Sequence, residues 1–376
     1  GAIVLAENIT DNAFITNQLK NRGALILGKS NLSEWAYFFC GDCPSGYSAV
    51  GGQTLNAYGR KILDTGGSSS GSGVATSVNF AVATVGSETS GSILSPSSQN
   101  SIVGLKPTIG YLSRSGIVPI SSTLDTPGPM TKNVIDNAIL LDAMKGYDVE
   151  DTLSFKTDTL EFNGEALMKD PVEFIRGKRF GVIKNLLENA LYKQAVNDLE
   201  SNGAVIVEIE PKRPELNGFL TLLNIDMRND LPEYLKHNAS ENVSVSSVSD
   251  VIKFNKSDSL ATMPYGQKLF YGIVNDPTTE SHFKVLKDSL KMKGKQFFDI
   301  PMDSQNLDVV LSINNYHAGF AAVAIYPAIT VPMGYDENNK PFGLTFISPK
   351  GETELLQWAY GYEQVTKRRK TPVGYD

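Results

Sequence analysis

The 376-residue chain carries 34 Lys and Arg against 41 Asp and Glu, a formal net charge of -7, with 41% hydrophobic and 9% aromatic residues. That composition can bury a large core, and it excludes a disordered or fibrous chain. The acidic balance argues against a nucleic-acid binder, since phosphate neutralisation needs a basic face. The longest cationic run, Lys367-Arg368-Arg369-Lys370, reads as a solvated helix end.

In chain order, Asp11 to Asn21 reads as a helix and Ala24-Leu25-Ile26-Leu27 as a short buried strand between Gly23 and Gly28. A Gly- and Ser-rich loop from Gly66 leads into a small-residue helix around Val74 to Phe80, then an apolar strand at Ala81 to Val85. Ser101 to Leu105 and Pro107 to Leu112 read as strand and turn, and Asn133 to Lys145 as an amphipathic helix. Arg179 to Ile183, Asn189 to Ser201 and Ala204 to Ile209 follow a βαβ rhythm, which predicts an α/β sheet with helices outside. Val243 to Met263 reads as a polar, variable surface region. Asp308 to Ile313 and Ala328 to Pro332 read as buried strands, and Glu352 to Thr366 as a closing helix. One domain, 1–376, is expected: a catalytic core at about 1–145, a variable charged region at about 146–307, and a return to the core at about 308–376.

Charge is unevenly spread. Between Thr65 and Thr131 only four of 67 residues are charged (Glu88, Lys106, Arg114 and Asp125), whereas Lys145 to Asp308 carries 46 in 164. The charge-free run from Val309 to Tyr335 is long enough to raise a membrane span, but Asn314, Asn315, His317, Pro327 and Pro332 interrupt it, so no span is expected. A soluble chain is expected, with the cytoplasm the preferred location.

Two motif templates match without their context. Gly23 to Ser30 fits the phosphate-loop pattern, with Lys29 at the lysine position, but its strand lies between the glycines instead of before them. Gly67-Ser68-Ser69-Ser70-Gly71 fits the nucleophile elbow of α/β-hydrolases, with Ser69 at the elbow and His317 the one plausible base. No good strand precedes it. The loops Asp64 to Gly73 and Gly86 to Pro96 are better explained together. Their small residues let backbone approach a substrate closely, and successive N–H groups can line an anion-stabilising concavity.

With Gly66-Gly67-Ser68-Ser69-Ser70-Gly71, Gly91-Ser92 and Gly104-Leu105-Lys106-Pro107-Thr108, the segment from Gly28 to Pro129 resembles the amidase signature enzymes. Ala328 to Pro332 and Gly343 to Phe346 resemble that family's C-terminal strands. The resemblance implies a serine, cis-serine, lysine hydrolase with a mixed central sheet enclosed by helices. It implies Ser92 as the acyl-forming nucleophile, and Ser68, following a cis bond from Gly67, as the bridging serine. The N–H groups of Thr89, Ser90, Gly91 and Ser92 would form the oxyanion hole. A small-molecule amide substrate is implied, with no metal or organic cofactor.

The family's base lysine lies in a G-x-P-x-x-x-K-D motif absent from this sequence. Lys29, in the family-like segment Gly28 to Glu34, is not its counterpart. The expectation is a truncated or processed amidase of low or no activity. Glu88 stands where the family usually has Asp, Ser90 where it has Gly, and Leu94 where many members have Arg. Cys40 and Cys43 form a C-x-x-C without further metal ligands, expected as two thiols or a local disulfide at the rim of the substrate entrance. Three rival readings are an amidotransferase A-type subunit releasing ammonia from glutamine, an α/β-hydrolase esterase, and a scaffold that kept the fold without its chemistry.

Overall fold

The computed structural model describes residues 1–158, 160, 162 and 169–375. A small ribbon pairs β1 (Tyr47–Ser48) with β2 (Gly52–Gln53). The main sheet holds β3 (Ala83–Glu88), β4 (Val103–Lys106), β5 (Thr126–Thr131), β6 (Arg179–Ile183), β7 (Val205–Ile209), β8 (Val309–Ile313), β9 (Ala328–Tyr335) and β10 (Pro341–Ile347). Its order is β3-β5-β4-β9-β10-β8-β6-β7. The β6 pairings with β7 and β8 are parallel and the others antiparallel, so the sheet is mixed.

Side chains alternate across the central strands because successive Cβ atoms point to opposite faces. Val309, Leu311 and Ile313 of β8 join Phe180, Leu344 and Phe346 on one face, under Leu141, Leu199 and Trp358 from the covering helices. Val310 and Ile347 point the other way, toward Leu94, Phe297, Phe298 and Ala321. A further apolar cluster lies among helices of the charged middle and the N-terminal segment, with Trp35, Leu222, Val251 and Phe270 at its heart.

Several elements fall elsewhere than the sequence suggested. Residues 24–27 form no strand: Gly23, at φ +86°, turns the chain out of helix Phe14–Asn21, and Ala24 N–H returns to the Leu19 carbonyl as a cap. Leu25 and Leu27 are left 88% and 76% exposed. The small-residue helix spans Ser70–Ser77, ahead of the expected position, because its serines find internal acceptors: Ser70 Oγ donates to Gly66 O, and Ser72 Oγ to Val85 O at 2.8 Å. The strand after it is correspondingly late, ending at Glu88.

The supposed surface region 243–263 contains helices Val248–Ser257 and Ser259–Thr262, which bury Val248, Val251, Ile252 and Thr262. The cationic run is anchored as well as solvated. Arg368 pairs with Asp198, Arg369 donates to Ser77 O, and Lys370 Nζ lies 5.2 Å from the centre of the Tyr335 ring. Among the described residues no helix is long and apolar enough to cross a membrane.

Candidate active site

Two loops at one end of the sheet carry the expected serines. The first runs through Gly66, Gly67 and Ser68 into helix Ser70–Ser77, and the second leaves β3 at Glu88 and enters helix Leu94–Gln99 through Ser92. They touch directly: Ser69 N–H donates to the Ser92 carbonyl at 3.2 Å. Gly66 makes that approach possible. Its φ is +66°, and a Cβ there would lie 2.7 Å from the Pro96 nitrogen. The Gly67–Ser68 peptide bond is cis, as the resemblance implied.

Ser68 is 1% exposed. Its carbonyl accepts from Ser33 N at 3.0 Å and Ser70 N at 2.8 Å, while its hydroxyl is buried without a hydrogen-bond partner among the described residues. Ser92 is half-buried. The structure thus brings both serines to one place without a direct bond between their hydroxyls. Lys29 is exposed, on the surface run that precedes Asn31, and is not hydrogen-bonded to Ser68.

The elbow reading with Ser69 and His317 does not survive. Ser69 Oγ is spent on β3, donating to Ser87 O and accepting from Ser87 N at 3.1 Å each. His317 Nδ1 pairs with Ser312 Oγ at 2.7 Å, and its ring stacks on Phe297. Burial, assisted by Arg213, holds that imidazole down to about 4. The Gly23 to Ser30 segment is exposed throughout and wraps no phosphate-sized turn. Cys40 and Cys43 are joined by a disulfide and buried beside Trp35, Phe39 and Phe270.

Residues the sequence reading did not assign hold the Ser92 loop in place. Glu88 Oε2 accepts from Ile93 N at 2.7 Å and Leu94 N at 3.0 Å, closing the loop into a ring. The carboxylate is fully buried, and burial raises its pKa against the attraction of Lys106. Lys106, 0% exposed, ends β4 on the same side of the sheet; burial pulls its ammonium down to about 8, while Glu88 and Glu352 oppose that shift. Thr89 Oγ1 donates to Asp125 Oδ1 at 2.5 Å, and Asp125 Oδ2 accepts from Ile120 N and Ser121 N at 2.8 Å each.

The N–H groups of Thr89, Ser90 and Ser92 have no internal acceptor among the described residues, while that of Gly91 is partly drawn to Glu88. Backbone donors held this way beside an accessible serine suit an oxygen that gains negative charge during acyl transfer. No group of three or more His, Cys, Asp or Glu among the described residues is arranged to hold a metal ion.

A half-buried serine near a buried cis-serine, on a mixed sheet between helices, is an arrangement suited to acyl transfer. The chain belongs to the amidase family, whose model, described as Amidase, matches residues 1–262, and it is an amide-bond hydrolase. A probable amidase of Arabidopsis thaliana is 32% identical over 98% of this chain and 73% of its own length. The crystal structure of an amidase family protein from Bacillus anthracis matches with a TM-score of 0.93 at 36% identity, over 99% of this chain and 74% of that one. Native peptide amidase from Stenotrophomonas maltophilia matches at 0.91 and 35%, over 99% and 80%. The A subunit of glutamyl-tRNA(Gln) amidotransferase from Halothermothrix orenii is more distant, at 29% identity over 96% of this chain and 80% of its own length.

Proposed function

We propose that the chain cleaves linear amides through an acyl-enzyme on Ser92, with Ser68 as proton relay. The observation that carries this is the Ser69 N–H to Ser92 carbonyl bond, which ties the cis-Ser68 loop to the nucleophile loop. Ser92 Oγ attacks the amide carbon. Its proton passes to Ser68 as the Ser68 proton leaves for a general base, a role that a small amine from the buffer takes in this chain, and the N–H groups of the 89–92 loop receive the oxyanion. Collapse breaks the C–N bond, the amine leaves with a proton returned through Ser68, and water releases the acid by the same steps. Similarity to a peptide amidase supports peptide-like carboxamides as the first substrates to try.

A serine hydroxyl is a weak nucleophile without a base in reach, directly or by relay. Since the Ser68 hydroxyl has no described partner, acylation of this chain is expected to be slow and open to chemical rescue. A fluorophosphonate probe should label Ser92, not at all after Ser92→Ala and about 100-fold more slowly after Ser68→Ala. Small primary amines in the buffer should accelerate labelling of the parent chain. Lys29→Ala should leave the rate unchanged; a collapse of labelling in that variant would make Lys29 the base and overturn this account.

A further inference from the structure

Beside the oxyanion loop stands a wall that none of the serine chemistry uses. β8 ends at Ile313, and Asn314 follows in the left-handed region at φ +49°. That turn is pinned three ways: Asn314 N donates to Gly343 O at 2.9 Å, its Oδ1 accepts from Gly343 N at 2.8 Å, and its carbonyl accepts from Thr345 Oγ1. A turn held this firmly presents its next residue rigidly. That residue is Asn315, which is exposed. A Cβ built on Gly91 would lie 2.9 Å from Asn315 Nδ2, so this carboxamide flanks the oxyanion-loop glycine.

Ser90, also reaching solvent, approaches the same corner: a Cβ on Gly319 would lie 3.8 Å from Ser90 Oγ. Leu94, where many family members carry arginine, is 0% exposed and packs with Ala318 and Ala321. The corner therefore offers a carboxamide and a hydroxyl and no cation from that position. Each of these groups can both donate and accept, which matches a peptide or carboxamide group.

We infer that Asn315, with Ser90, forms a neutral hydrogen-bonding subsite that holds an uncharged amide group of the substrate next to the reacting carbonyl. The inference rests on the proposed peptide-like substrate. It assigns this site amides with a second, uncharged peptide group near the scissile bond.

The test uses binding, so it does not depend on turnover. In the Ser92→Ala background, calorimetry measures the affinity of an N-acetyl dipeptide carboxamide and of butyramide, with and without Asn315→Ala. Loss of one neutral hydrogen bond corresponds to about a 5- to 10-fold weakening, expected for the dipeptide amide and not for butyramide. Asn315→Asp should shift preference toward a dipeptide amide bearing lysine over one bearing glutamate. Equal weakening of both probes, or none, would overturn the subsite. If instead the nucleophile assignment were wrong, fluorophosphonate labelling at Ser92 would fail while these affinities still moved.

Discussion

Glu88, Lys106, Arg114 and Asp125 are the four charges left in an otherwise ion-free stretch of 67 residues, and all four serve the loop that carries Ser92. Glu88 closes the loop on itself, Asp125 fixes Thr89, and Arg114 braces the 120–125 turn through the Ser122 carbonyl while paired with Asp151. Lys106 attracts Glu88 electrostatically without bonding to it: Lys106 Nζ and Glu88 Oε1 each lack a hydrogen-bond partner among the described residues. Removing one partner of a contacting buried ion pair costs about 3–5 kcal/mol, and an attraction across a gap is worth less. Lys106→Met and Glu88→Gln should therefore show a coupling on the order of 1 kcal/mol in a double-mutant cycle read by urea unfolding. Additive losses in the cycle would show that the two charges do not interact. The scarcity of charge was legible in the sequence, but which partners the four survivors would take was not, because Ile93, Leu94 and Thr89 are met only once the loop has closed.

At the scale of elements, Arg179–Ile183 and Glu352–Thr366 stand where periodicity put them, since their apolar spacing is unbroken and their ends are marked. Helix Val134–Met144 was equally plain, with Asn133 as its cap. The failures have a common cause. Ala24 to Leu27 has strand composition but no described neighbour to complete a ladder, and the serines of helix Ser70–Ser77 read as loop because their acceptors lie outside the segment. The same limit hid a contact between elements. Glu363, on the closing helix, accepts from Val134 N at 3.0 Å, at the first turn of helix Val134–Met144. Burial pushes its carboxyl up to about 7 against that bond. With the ordinary value near 4.3, the folded state binds the extra proton between about pH 4.5 and 7, so this group makes stability fall as pH rises through that window. Glu363→Gln keeps an acceptor for Val134 and removes the proton. The variant should lose on the order of 2–3 kcal/mol of the difference in unfolding free energy between pH 5 and pH 8. An unchanged difference would place the carboxyl's titration elsewhere.

For the molecule as a whole, the mixed sheet follows from how distant parts of the chain are interleaved. β3, β4 and β5 come from the charge-poor stretch, β6 and β7 from the charged middle, β8 and β9 from the late apolar run, and β10 from just beyond it. The βαβ rhythm announced β6 and β7, but no local pattern says that β9 inserts beside β4 or that β3 stands at the margin. That placement has a consequence for behaviour in solution. Among the described residues β3 has one paired side, Phe80 and Val82 on its approach are each 71% exposed, and Leu25 and Leu27 are exposed as well. A sheet margin of this kind pairs with other chains unless charge or cover blocks it. Sedimentation velocity should show this chain associating as concentration rises. Phe80→Glu/Val82→Glu should suppress that association while leaving the thermal midpoint within a degree or two, because these side chains bury little. Val285→Glu/Ile300→Glu, on the exposed face of helix Glu280–Gln305, adds the same net charge elsewhere. Suppression by that pair to the same extent would mean that general repulsion, and not the apolar margin near β3, governs association.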